Sequence, residues 1–194
     1  MSGILDLLNS DLGKTLISSA SKQFGQDEGK TTSALSTALP LILGAMKNNA
    51  STPEGASGLL NALGNNKHSG GILDNLGSIL GGSGVDEDVL NDGAGILGHV
   101  FKGKEQNVAN ALSKSSGLDL ESAMGILKVA APFIMGYLGK ETRQQGVSDQ
   151  NGVGNILGGL LGGENSQQQN MVEKLLDADG DGSIIDDVAG MLLG

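Results

Sequence analysis

Cysteine and tryptophan are absent from this chain, and its aromatic side chains are three Phe and one Tyr. Without cysteine there are no disulfides, no thiolate nucleophile and no zinc-thiolate centre. So few rings leave little to stack on bases, and the core must be built from Leu, Ile, Val, Ala and Met. Basic residues are also scarce. Lys and Arg total 12 against 22 Asp and Glu, a formal net charge of −10. That balance argues against binding a phosphate backbone, whose nonspecific affinity is supplied by cations, and against anionic membranes. The longest weakly charged apolar run, Val129–Gly139, falls short of the roughly 20 residues a bilayer span needs. The N-terminus carries Asp6 early and has no basic segment leading into an apolar one, so it does not read as a signal peptide. A cytoplasmic protein with no membrane and no nucleic-acid partner is the expectation.

What the chain has in excess is glycine, 33 of 194 residues, more than twice the usual share of about 7%. The glycines alternate with aliphatics rather than with polar tracts, so a packed core remains possible.

The chain also repeats itself at an offset of 92. Gly3, Ile4 and Leu5 match Gly95, Ile96 and Leu97; Ser21, Lys22, Gly25 and Asp27 match Ser113, Lys114, Gly117 and Asp119. Leu35, Ala38, Pro40, Ile42 and Gly44 match Leu127, Ala130, Pro132, Ile134 and Gly136. Twelve ungapped identities over residues 3–44 point to a duplication. Each unit reads as helical. Ile4, Leu5, Leu8 and Leu12 share one face, and Ile17, Ala20 and Phe24 continue it. Gly25 or Gly117 ends a helix, Asp27 or Asp119 caps the next, and Pro40 or Pro132 kinks or restarts it. Ile126–Leu138 is the most apolar stretch and should be buried.

The spans that follow are a first helical unit at 1–64, a glycine-rich helix and linker at 65–92, a second unit at 93–163 and a tail at 164–194. Gly64–His68 and Gly81–Asp88 read as loops or linkers, and Gly70–Gly82 and Gly152–Gly163 as glycine-rich helices. In the latter, Gly154, Gly158 and Gly162 form a ridge spaced by four that permits close helix contact.

The tail carries the sharpest motif, Asp177-Ala178-Asp179-Gly180-Asp181-Gly182-Ser183-Ile184. Calcium takes six to eight oxygens at about 2.3–2.6 Å, and an EF-hand loop supplies them from alternate positions around a glycine turn. Asp177, Asp179 and Asp181 occupy the first, third and fifth positions, Gly182 the turn, and the Ser183 carbonyl the seventh. The twelfth position holds Val188 instead of an acid, so Asp187 is the candidate to complete the shell. A weak calcium site at Asp177, Asp179, Asp181, Ser183 and Asp187 is expected. The bland alternative is an acidic turn capping a helix. Short helices at Met171–Leu176 and Ile184–Leu193 would flank the loop.

Other motifs fail on inspection. Gly25–Thr31 is one residue short of a P-loop, has no preceding strand, and carries Asp27 and Glu28 where phosphate would sit. Ser19-Ala20-Ser21-Lys22 has acyl-enzyme spacing but no companion motif. Of the two histidines, His68 lies in a polar loop, and His99 follows an aliphatic segment where it could line a small pocket.

The segment Gly93-Ala94-Gly95-Ile96-Leu97-Gly98-His99-Val100-Phe101, with the helix around Pro132 and the glycine-rich repeats, resembles the YidB-like bacterial family, domain of unknown function 937. The Leu-Leu-Asp-Ala-Asp-Gly-Asp-Gly-Ser tail is similar to tails of its long members. The resemblance covers most of the chain and implies a small all-α fold, a homeodomain-like helical arrangement and no assigned activity. The first unit has Leu7 at the position of His99.

The expected architecture is all-α: a duplicated bundle of short, glycine-rich helices with a C-terminal EF-hand or dockerin-like loop. The expected function is a non-enzymatic protein-interaction or self-association module with calcium in its tail. Two rivals remain. One is a DNA-binding module of helix-turn-helix type using Lys102, Lys104 and Lys114. The other is a hydrolase-like enzyme using His99 and nearby acids.

Overall fold

A computed structural model describes residues 3–64 and 85–161, in which every regular element is an α-helix. In chain order these are α1 (Ile4–Asn9), α2 (Asp11–Phe24), α3 (Glu28–Asn49), α4 (Pro53–Gly64), α5 (Glu87–Phe101), α6 (Glu105–Ser116), α7 (Leu120–Gln144) and α8 (Gln150–Leu160).

Local chemistry sets the breaks. The face begun by Ile4 does not continue as one helix. Ser10 is extended, with φ −69° and ψ 166°, and its hydroxyl accepts from the Gly13 amide, so α1 stops and α2 starts afresh. Gly25 and Gly117 both take left-handed φ, at 62° and 69°, and end α2 and α6. Asp27 then caps α3 through the amides of Gly29 and Lys30, and Asp119 caps α7 through that of Ser122. At both corners a serine hydroxyl reaches across the turn, Ser21 to the Gln26 carbonyl and Ser113 to that of Leu118. Pro40 follows Glu28 by the same interval as Pro132 follows Leu120, and α3 and α7 run on through these prolines rather than restarting. Glu87 and Asp88, read from sequence as linker, open α5, because Asp86 caps the Asp88 amide and starts the helix earlier.

One hydrophobic core joins all eight helices. At its centre lies α7, with Ile126, Leu127, Ala130, Phe133, Ile134 and Leu138 almost wholly buried. By length and mean hydropathy (25 residues, 1.3) α7 could cross a bilayer, yet 83% of that window is buried inside the protein. The run Val129–Gly139 understated its length. α5, α3 and α6 supply that burial.

One approach between α5 and α7 is especially close. Pro132 has no N–H, so the Lys128 carbonyl four residues earlier has no helical donor. Gly93 of α5 packs against this carbonyl so tightly that a Cβ would overlap it. The second α-hydrogen of glycine occupies that direction, giving a Cα–H···O contact to an otherwise orphaned acceptor.

The outer helices close the body. Gln150 at the start of α8 donates to the Pro53 carbonyl and the Ser57 hydroxyl of α4, both at 3.2 Å. Gly3, at the start of α1, lies near the end of α8, where a Cβ added to it would come 3.8 Å from the Leu160 carbonyl oxygen.

Candidate functional site

The calcium-loop residues Asp177, Asp179, Asp181, Ser183 and Asp187 lie outside the described residues. So do His68, Gly162, the Gly70–Gly82 segment and the two short helices expected in the tail. Among the described residues no group of three or more acids or histidines could hold a metal ion.

His99 is described, and it does not line an interior pocket. It faces solvent from the last turn of α5, while Leu97 and Phe101 of the same helix turn into the core. The helical period separates them, since positions two residues apart point to opposite sides. Of the three lysines of the basic-face reading, two sit at the α5–α6 corner and the third at the far end of α6. Lys102 is the left-handed C-cap of α5 with φ 51°, Lys104 precedes α6, and Lys114 lies in the last turn of α6.

The most developed polar constellation was not legible as such. The Gln26 amide, between α2 and α3, donates to Asp119 Oδ2 and Ser122 Oγ, both at 2.9 Å. The Ser122 hydroxyl donates to the same Asp119 oxygen at 2.7 Å, and the Ser122 amide to the other at 2.8 Å. Lys30 Nζ reaches the Gly117 carbonyl at 3.4 Å. The Ser122 amide first, and its hydroxyl second, hold the Asp119 carboxyl below its ordinary range. The Gln26 amide and the Ser122 hydroxyl and amide are all engaged in this cluster. The arrangement clips the first turn of α7 to the corner between α2 and α3. Phe24 adds an apolar half by laying its ring over Gly125, where any Cβ would strike it. Asp119 was readable as a cap. Gln26 gave no signal, because its counterpart 92 residues on is Leu118.

A second polar pair marks the far part of α7. Tyr137, the chain's one tyrosine, has its ionisation pushed up, chiefly by burial and then by the Glu141 carboxylate, which also accepts its hydroxyl hydrogen bond. The fold thus favours neutral Tyr137. Its stabilising contribution is intact below the ordinary value of about 10 and is lost as pH rises through the higher folded-state value. Phenolate absorbance should therefore show one transition above that of free tyrosine. Glu141→Gln should move it partway down, and a parent midpoint at or below the free value would refute the pairing.

The outward helix faces hold the feature with the least internal explanation. Gly95 and Gly98 of α5, and Gly154 and Gly158 of α8, lie within helices, and a Cβ at any of them would meet nothing within 4 Å among the described residues. Among the described residues, Gly154 and Gly158 of the expected ridge do not seat α8 against another helix. Val153, Ile156, Leu157 and Leu160 make that contact, and Gly154 and Gly158 face away from it.

Residues 6–141 match the family described as bacterial protein of unknown function (DUF937). No curated protein and no solved structure matches the chain.

Proposed function

The chain belongs to this bacterial family of unknown function, and from that membership and its glycine-bearing outer faces we propose that it is a non-enzymatic interaction module working chiefly by self-association. The observation that carries the reading is the open space at Gly95, Gly98, Gly154 and Gly158. Glycine inside a helix costs about 0.5–1 kcal/mol relative to alanine. Gly93 and Gly125 offset that cost by close packing within the chain, whereas these four have no such packing among the described residues. A partner whose backbone approaches the helix would make use of them. The exposed His99 and the locally satisfied Asp119 cluster give little support to hydrolytic chemistry. The acidic balance gives little to DNA.

Replacing Gly95 and Gly98 together with glutamine tests it. The folded monomer should be unharmed or slightly more stable, because glutamine is a good helix former facing open space. Association measured by sedimentation equilibrium, and crosslinking in cells from position 98, should both weaken. A parent chain that stays monomeric at its solubility limit and gives no crosslinked product would overturn the reading.

The matching corners, Gly25 with Gly117, Asp27 with Asp119 and Ser21 with Ser113, support a duplicated origin for the bundle. For the tail we propose calcium held by Asp177, Asp179, Asp181, the Ser183 carbonyl and Asp187, on the loop spacing in the sequence. Titration calorimetry should give a dissociation constant on the order of 10⁻⁴–10⁻³ M, lost in Asp181→Ala. Absence of calcium heat across that range would reduce the motif to an acidic turn.

A further inference from the structure

Asn151-Gly152 is the chain's one Asn-Gly pair, the dipeptide whose unhindered glycine amide most readily attacks the preceding side chain. It lies in the first turn of α8, with Asn151 exposed to water. Glycine is needed here for packing, since a Cβ at Gly152 would press 2.5 Å from Val147 Cγ1. The fold thus places a chemically labile pair at an exposed helix start for reasons unrelated to its lability. It also guards the pair. The Gly152 amide, the nitrogen that would attack, donates to Asp149 Oδ1 at 2.7 Å, and the helical backbone keeps the Asn151 Cγ out of line.

We propose that Asn151 is a site of spontaneous deamidation gated by the Asp149 cap. When the first turn of α8 opens, the Gly152 amide gives up its proton to base and its nitrogen bonds to Asn151 Cγ. The side-chain nitrogen leaves as ammonia, and a five-membered succinimide remains. Water then adds to one of the two ring carbonyls and that C–N bond breaks, yielding aspartate or isoaspartate. No oxidant or cofactor enters. Isoaspartate inserts a methylene into the backbone beside Gln150, whose amide ties α8 to Pro53 and Ser57 of α4. The modification is therefore a slow, one-way loosening of α8 from α4.

The full-length parent, Asp149→Ala and Asp149→Ser are incubated folded and in urea at mildly alkaline pH. Peptide mapping by mass spectrometry follows the amide-to-acid conversion at residue 151. Serine keeps a capping oxygen and alanine does not. In the folded state Asp149→Ala should deamidate on the order of five- to tenfold faster than the parent, the factor by which losing a cap raises the population of the open turn. Asp149→Ser should stay near the parent, and all three should converge on a common fast rate in urea. The proposal fails if Asp149→Ala reacts at the parent rate, if Asp149→Ser reacts as fast as Asp149→Ala, or if the folded parent reacts as fast as in urea.

Discussion

Gly93→Val should cost about 3 kcal/mol of stability, while Gly95→Ala, two residues further along the same helix, should gain about 0.5–1 kcal/mol. The opposite signs come from what each added side chain meets. At 93 it meets the Lys128 carbonyl, part of the rigid backbone of the central helix, and α5 must lift off to make room. Lifting α5 uncovers the apolar face of α7, adding lost burial to the steric penalty. At 95 it meets nothing among the described residues, and only the helix preference of alanine remains. Urea midpoints for the two variants and the parent decide the matter. Equal midpoints for Gly93→Val and the parent would mean that α5 does not press on α7 at this carbonyl.

Phe133→Ala is expected to cost about 3–5 kcal/mol. Phe133 is 1% exposed on α7, and the neighbouring helices cannot all close on the space it leaves. The position 92 residues earlier, Leu41, is only half-buried on α3. Leu41→Ala should therefore cost clearly less than the 2–5 kcal/mol usual for a fully buried leucine, nearer to about 1–2 kcal/mol. Thermal or chemical unfolding of both variants checks the pair. Comparable losses at the two positions would show that the halves of the chain bury their long helices equally, contrary to the packing described above.

That asymmetry also bounds what could be read from sequence. The corners were legible because turn chemistry is local: Gly25, Gly117, Asp27 and Asp119 act through residues within a turn of themselves. The buried apolar stretch Ile126–Leu138 was legible as composition. The break at Ser10 was not, because the apolar spacing of Ile4, Leu8 and Leu12 continues across it while a single hydroxyl decides the capping. Nor was the difference between Gly93 and Gly95. Both stand in one glycine-rich segment, and only the position of Pro132, about forty residues away in a packed helix, makes one indispensable. The Gln26–Asp119 clip was hidden for the same reason, since it joins groups with a sequence separation of 93. His99 stood out as a rare residue beside an aromatic one, yet rarity carries no direction, and the helical period turns it outward.

Gly3 and the Leu160 carbonyl lie close together, so the first and last described helices meet at one corner. A short bridge there would turn the body into a ring at little cost in closure entropy. On such a ring no helix is first. The same packing would be satisfied by a circularly permuted chain opening at the exposed left-handed Gly146, running out through α8, across the bridge into α1, and ending on α7. The order in which the helices are strung is in this sense incidental to the architecture, and what the architecture requires is that α7 be enclosed.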